Sequence, residues 1–472
     1  MHDGRLWIEG SWVEGERLVE VRSPWSGEVL RRVAQASPAQ AERALVAAFA
    51  ARSRLAAQST GKRRDVLEGI VAGLKPRAEE MAQLISREAG KPLSLARGEV
   101  SRAIEVFRLA AAELSHWGGS IVPVDLDSRM AGVDCEVRRF PAGVVVGIVP
   151  FNFPLNLGAH KVAPALAVGA PILIKPPPQA PSAQLLLAEI AQQAGADPAA
   201  LQTLTCDNTV AERLATDPRV RVLSFTGSAA VGWMLKQKAP GRVLLELGGN
   251  AAVVVGADAD LDWAADRCVS AGFGYAGQVC IKVQRIYVEK AAYPAFLDKL
   301  LARVKQVPSG DPAEERTVSG PVIDDRAAER ITAWVDEAIA GGAKVLAGHS
   351  RKGRLLQPTV LADVPADSKV AQEEVFGPVV AVWPVADWEA GLAAVNAGKY
   401  GLQAGVFTRD LARVRTAFRQ LEVGGVIVND APNLRSDNMP YGGVKQSGLG
   451  REGVRYAMDE LSEERVLVTR LR

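Results

Sequence analysis

The chain has 472 residues, 48% of them hydrophobic and 23% charged, with a formal net charge of +2. That length exceeds what one core organises, so two or three domains are expected, with the composition of an ordinary soluble globular protein. The charge balance gives no electrostatic case for nucleic acid or an acidic membrane, and the short triplet Lys62, Arg63 and Arg64 reads as a solvated helix face.

The opening stretch, MHDGRLWIEGSW, carries Asp3, Arg5 and Glu9 and lacks the apolar centre of a signal peptide. Residues 38–58, 62–89 and 94–117 have the spacing of amphipathic helices. The uncharged run from Pro141 to Ala159 has about the length of a membrane span. Pro150, Asn152, Pro154 and Asn156 in its second half would leave polar groups unsatisfied in lipid. It therefore reads as a buried strand, VVVGIV, entering a loop. A strand at 171–174, a helix at 182–194 and a strand at 219–225 follow, then the runs RVLLEL and AAVVVG. A second set comes after Cys280: VQRIYVEK, helices over 293–307 and 325–340, VVAVWPV and GGVIVND. Strands alternating with helices predict an α/β fold with parallel sheets, divided near Gly248–Asn250.

Cys135, Cys206, Cys268 and Cys280 are the only cysteines, with no CxxC pair. They give neither a disulfide framework nor a zinc signature, and point to a reducing, cytoplasmic compartment. Three local features carry chemistry. Gly227–Gly232 (GSAAVG) follows a strand and opens a helix, a turn that aims backbone N–H groups at a phosphate. It lacks the middle glycine of GxGxxG and equally suits a plain strand–helix connection. Glu246, in LLELGGN, sits among apolar residues, either as a surface-facing strand residue or as a base raised by burial. Cys280 ends GYAGQVC, where the small residues before it suit a nucleophile as well as a packed thiol. None of His2, His116, His160 and His349 lies in a cysteine-hydrolase context, so activation would have to come from Glu246, an oriented water or positive local fields.

The ordered set PFNFP (150–154), IKP (174–176), FTGSAAVG (225–232), ELGGN (246–250), GQVC (277–280), EVFGP (374–378) and PYGGVKQSG (440–448) closely resembles the NAD(P)-dependent aldehyde dehydrogenase superfamily across essentially the whole chain. The resemblance implies a Rossmann-type cofactor domain over 1–119 and 141–247, an α/β catalytic domain over 248–457, and a small bridging or oligomerisation sheet from 120–140 and 458–472. It implies Cys280 as the nucleophile toward an aldehyde, Asn152 and the Cys280 N–H as an oxyanion hole, and Glu246 as the base that hydrolyses the thioester. Lys161 and Glu463 match positions that pass protons near the base.

By the same resemblance NAD or NADP would lie along Pro150, Phe151, Lys175, Pro178, Thr226, Gly227, Ser228, Gly232, Leu247, Glu374 and Phe376. Many NAD-preferring relatives carry glutamate where this chain has Pro178, and no acid occurs from Pro171 until Glu189, so NADP is expected to be accepted at a rate comparable to NAD or better. A homodimer or homotetramer is also implied. The polar segment NDAPNLRSDNMP, with Asn433, Arg435 and Asn438, falls at the aldehyde entrance and suggests a small polar substrate. Arg435 suits an anionic or hydroxylated aldehyde, or a loop tie to Asp430 or Asp437. Non-phosphorylating glyceraldehyde-3-phosphate dehydrogenases carry an arginine just before the nucleophile, where this chain has Val279. Two other readings are a CoA-acylating relative, which would not need Glu246, and a catalytically silent binding or structural protein on the same fold.

Overall fold

β-branched runs too short for helices become the strands of two large sheets in the computed structural model, which describes residues 4–470. The outermost residues of the two terminal segments assigned above, 1–3 and 471–472, lie outside the described residues. The first sheet has eight strands in the order Ser11–Val13, Leu6–Ile8, Leu201–Thr203, Ile172–Lys175, Val144–Ile148, Val220–Thr226, Arg242–Glu246 and Gly448–Leu449. Its middle pairs are parallel and its outer pairs antiparallel. The helix Asn156–Val168 is buried along its whole length, as its apolar circumference requires.

The second sheet has seven strands in the order Lys344–Ala347, Thr359–Ala362, Val379–Val385, Arg285–Glu289, Ala252–Val255, Gln403–Phe407 and Gly425–Val428. A third sheet joins Ser462–Arg470, Val133–Pro141 and Ser120–Ile121. On its edge strand Val466, Leu467 and Val468 are each more than half exposed.

Three details depart from the sequence reading. The helix expected over 62–89 is two helices, Thr60–Leu74 and Ala78–Ala89, separated by a 3₁₀ turn at Lys75–Arg77. Pro76 causes the break, because it has no N–H to give the preceding turn. The helix expected to reach 307 ends at Val304. Gly448–Leu449, from the segment expected to belong to the catalytic unit, pairs antiparallel with Arg242–Glu246 in the first sheet.

The topology gathers loops at the carboxyl ends of the parallel strands, where open α/β sheets form their crevice. Val144–Ile148 runs into Pro150–Pro154, Val220–Thr226 runs into Gly227 and Ser228, and Arg242–Glu246 ends on Glu246. From the other unit comes the turn Gly274–Gly277, in which Tyr275 and Ala276 hold left-handed backbone (φ 54° and 51°) without being glycine. Such a conformation costs of order 1–3 kcal/mol and persists only where the surroundings fix it. Here the Tyr275 hydroxyl donates to the carbonyl of Ala89 at 3.0 Å.

Candidate active site

Asn152, Cys280, Glu246, Arg435, and the pair Glu374 and Phe376 come from five separate chain segments and line one cleft of about 1140 Å³. That exceeds the roughly 300–1,000 Å³ of an ordinary small-molecule pocket and leaves room for a large cofactor beside a small substrate. Asn152 is buried, and its Nδ2 donates to the carbonyl of Gln278 at 3.0 Å. An amide nitrogen has two hydrogens, so one remains for an oxyanion. Gln278 is pinned in turn: its Oε1 accepts from the N–H of Ile323 at 2.9 Å, and its Nε2 donates to the carbonyl of Pro321 at 3.2 Å. The Asn152 amide is thereby fixed relative to Cys280, two residues further on.

The Cys280 sulfur lies 3.2 Å from the Tyr441 hydroxyl. Burial pushes the thiol up to about 12, and the carboxylates of Glu374 and Glu246 add to the rise, while Tyr441 and Arg435 oppose it. Of the three means of activation expected, the positive field of Arg435 favours the thiolate and the charge of Glu246 opposes it, and burial outweighs both.

Glu246 is buried, and its Oε2 has no hydrogen-bond partner within the protein. Burial raises its pKa well above the usual carboxylate range; Glu452 raises it further, and Arg435, Lys161 and Arg451 oppose. Lys161 Nζ donates to Ser224 Oγ at 3.0 Å and Thr226 Oγ1 at 2.8 Å, and lies 3.3 Å from Glu452 Oε1. Burial would also raise Glu452, but Lys161, His160 and Arg435 hold it below its ordinary value.

Arg435 completes the cluster. Its side chain is 6% exposed, its guanidinium lies 3.7 Å from the centre of the Tyr441 ring, and Nη2 is 3.4 Å from Glu452 Oε2. Its Nε is buried without a partner. Neither aspartate of the loop-tie reading is its partner: Asp437 is taken bidentately by Arg102, and Asp430 Oδ1 accepts from Arg267 Nε, while Arg435 is tied to Glu452 and lies 3.4 Å from His160 Nε2. Asn433 also lines the cleft, with Oδ1 buried and unpaired.

The opposite side of the cleft has the shape of a dinucleotide site. Ser228 starts the helix Ala229–Lys238 without a side-chain cap, so the helix meets the cleft with open N–H groups. A Cβ on Gly232 would stand 2.4 Å from the Leu247 side chain, and one on Gly248 would stand 2.0 Å from the Glu374 carboxylate, so a larger residue at either position would push those cleft side chains aside. Glu374 Oε1 accepts from the Gly249 N–H at 3.2 Å, and burial pushes its carboxyl up to about 7. Phe376, at φ 47°, meets Phe151 edge to face at 5.9 Å. These residues would suit a dinucleotide, with the open N–H groups after Ser228 available to an anionic group.

The amino-acid sequence matches the family model described as "Aldehyde dehydrogenase family" over residues 12–467. The chain belongs to the aldehyde dehydrogenase family. It is 40% identical over 472 residues to a 3-sulfolactaldehyde dehydrogenase of Priestia megaterium, covering 99% of this chain and 98% of that one. It resembles the crystal structure of aldehyde dehydrogenase 21 from Physcomitrella patens in complex with the reaction product succinate (TM-score 0.97, 42% identity, 99% and 98% of the two chains). It also resembles a glyceraldehyde-3-phosphate dehydrogenase from Methanocaldococcus jannaschii complexed with NADP (TM-score 0.93, 36% identity, 97% and 100%).

Set against this aldehyde dehydrogenase framework, the expected residues fall into three groups. Pro150, Phe151, Thr226, Gly227 and Leu247 line the cleft with the six above. Lys161 stands behind Thr226, and Gly232 behind Leu247. Lys175 ends its strand buried, where burial lowers its pKa while Cys206 and Asp207 hold it up; Pro178 is exposed nearby in the chain. Glu463 is a correction. It lies on the third sheet opposite Phe140, half exposed and 3.7 Å from Arg221.

The glutamate beside Lys161 is Glu452, whose backbone is bridged to Tyr441 and whose side chain is thereby carried inward. Glu452, Tyr441, Arg102 and Lys91 were not singled out from the sequence. For the first two a signal was present, since both lie in or beside the glycine-rich PYGGVKQSGLGREG stretch. Arg102 and Lys91 carry none, being ordinary charged residues in and before a long helix.

Proposed function

We propose that the protein oxidises a short aldehyde bearing an anionic group to the carboxylic acid, with NAD(P) as the electron acceptor. The observation that carries the reading is Arg435, a buried guanidinium with Nε unpartnered, packed on the ring whose hydroxyl touches the Cys280 sulfur. A buried unpaired N–H donor is costly unless a ligand completes it, and a planar guanidinium suits a carboxylate, sulfonate or phosphate. The relatives named above act on, or hold as product, molecules with a sulfonate, a carboxylate or a phosphate.

In this reading the Cys280 thiol gives up its proton to solvent, and the thiolate adds to the aldehyde carbonyl to form the anion of a thiohemiacetal. Its oxyanion takes hydrogen bonds from Asn152 Nδ2 and the Cys280 N–H. A nicotinamide held by Glu374, Phe376 and Leu247 would supply the hydride acceptor for the step that leaves the thioester. Glu246 then takes a proton from water as that water attacks the thioester carbonyl, and the sulfur leaves. Lys161 and Glu452 are poised to pass the proton onward. Exposed Val466, Leu467 and Val468 on the edge strand support a homodimer or homotetramer, and four free cysteines support a reducing cytoplasm.

The test is a steady-state panel. Short anionic, short neutral and long aliphatic aldehydes are each assayed with NAD and NADP, with and without CoA, and the product is identified. Free acid formed fastest from the anionic aldehydes is the expected result. A preference for hexanal, or an acyl-CoA product, would overturn the proposal.

A further inference from the structure

Lys91 and Glu99 form an ion pair at 2.7 Å, with side chains 2% and 0% exposed. Burying two charges costs more than burying an apolar pair of the same size, so such a pair calls for a reason. Its remaining hydrogen bonds converge on one short segment. Lys91 Nζ donates to the carbonyl of Asn152 at 3.0 Å. Glu99 Oε1 accepts from the N–H groups of Leu155 at 2.9 Å and Asn156 at 3.1 Å. The helix Asn156–Val168 has no side-chain cap of its own, so Glu99 supplies the missing anion from a distant helix.

The same ammonium reaches the other half of the site. It lies 3.5 Å from the centre of the Phe153 ring and 5.1 Å from that of Tyr275, inside the strained turn that leads to Cys280. One cation therefore touches the Asn152 loop and the Tyr275 turn together.

We infer that the buried Lys91–Glu99 pair is the positioning device of the oxyanion hole, holding the Asn152 loop in register with the turn that delivers Cys280. The inference rests on the reading of Asn152 as an oxyanion donor. Lys91 bonds the Asn152 carbonyl and Glu99 bonds the N–H groups of Leu155 and Asn156, three and four residues further on, so the segment that follows the Asn152 side chain is held at both of its ends. Donors of this kind act only when held within about 0.5 Å of the productive position. Neither residue forms a bond to substrate in this scheme; both act through Asn152.

The experiment is a double-mutant cycle on the full-length enzyme. Lys91→Met, Glu99→Gln and Asn152→Ala are made singly, and the first two are combined with Asn152→Ala. The readouts are the pre-steady-state rate of reduced-cofactor formation at saturating aldehyde, the KM for cofactor, and the melting temperature. Asn152→Ala alone is expected to slow that step by on the order of 10²–10³-fold; if it does not, the reading of Asn152 fails, whatever Lys91 does. Lys91→Met should slow the step by about 10- to 100-fold with little change in cofactor KM, as a displaced catalytic group does. In the Asn152→Ala background the same change should cost less than about twofold, because nothing is left to position. Glu99→Gln should follow the same pattern more weakly, and decides alone if Lys91→Met does not fold. Equal losses in both backgrounds, or a lowered melting temperature with an unchanged acylation rate, would overturn the inference.

Discussion

The Lys161 ammonium lies 3.3 Å from the Glu452 carboxylate, and both are buried beside Glu246. Two carboxylates in one dry cluster do not ionise alike. Glu452 has Lys161 against it and Arg435 and His160 near, and is held ionised, while Glu246 is pushed toward its protonated form by burial and by the charge on Glu452. Environments that drive two titratable groups apart mark an acid–base pair. In the proposed mechanism Glu246 is the member that exchanges a proton with water, and Glu452 should set the pH at which it does so.

A pH profile follows from that division. If Glu246 is the base that hydrolyses the thioester, it acts only as a carboxylate, so kcat should rise with pH through its raised pKa. Glu452→Gln removes the neighbouring negative charge and frees Lys161 and Arg435 to act on Glu246, and both effects favour the carboxylate. The acid limb of the kcat profile should move to lower pH. A limb that stays in place, or moves upward, would show that the two carboxylates do not communicate.

Cys280→Ala should abolish aldehyde oxidation, since Cys135, Cys206 and Cys268 are all buried away from the cleft. Glu246→Gln should spare acylation and slow turnover by on the order of 10²–10⁴-fold, the usual cost of losing a general base. Rapid mixing should then give a burst of reduced cofactor followed by a slow steady state. Absence of a burst with a folded Glu246→Gln enzyme would place that residue before the thioester.

Tyr441 should influence the sulfur before any substrate arrives. Its hydroxyl is 3.2 Å from Cys280 Sγ and favours the thiolate, against a burial that pushes the thiol up to about 12. In the cofactor-free enzyme, alkylation by iodoacetamide should be slow at neutral pH and accelerate steadily into the alkaline range. Tyr441→Phe should slow it further at any given pH. Faster alkylation in that variant would mean that the hydroxyl stabilises the thiol instead.

The legible part of the site lay in short motifs, and the illegible part in burial. Asn152, Glu246 and Cys280 each stand in a few residues of unusual composition, where backbone and chemistry constrain one another locally. Choosing between Glu452 and Glu463 required knowing which glutamate the chain turns inward. That depends on the bridge between Tyr441 and Glu452, a tertiary fact with no local pattern. The same holds for Lys91 and Glu99, ordinary solvated charges by sequence and fully buried in the fold. The break at Pro76 was a missed local signal. The crossing of Gly448–Leu449 into the first sheet could not be read from order along the chain.

Arg435→Met should separate anionic from neutral substrates. Losing charge-assisted hydrogen bonds to a substrate anion costs about 1.5–3 kcal/mol, or about 10- to 100-fold in kcat/KM. The change also removes a cation from the Glu246 cluster, which would slow every substrate alike. The ratio of kcat/KM for succinic semialdehyde to that for butanal cancels the shared effect. It should fall by that factor. An unchanged ratio would leave Arg435 as a partner of Glu452 alone.

The choice between NAD and NADP turns on an acid that the sequence segment around Pro178 does not contain. Pro178 offers neither charge nor hydrogen-bond donor, and is exposed. A carboxylate reaches the neighbourhood of Lys175 from elsewhere: Asp207, which begins the helix Asn208–Ala215 and adds to the field on Lys175. Its Oδ1 accepts from the Val210 N–H at 3.0 Å, and Oδ2 lies 3.4 Å from Arg17. Such a carboxylate repels a 2′-phosphate held by Lys175, while Arg17 and solvent weaken the repulsion, so both cofactors should be used. Asp207→Asn keeps a good helix cap and removes only the charge. For a half-exposed group the effect is modest, and the ratio of kcat/KM for NADP to that for NAD should rise about 2- to 5-fold, with the aldehyde and pH held constant. The gain should shrink at high salt, where exposed charges are screened. A ratio that falls, or a rise that survives high salt undiminished, would rule out Asp207 as the residue that opposes the phosphate.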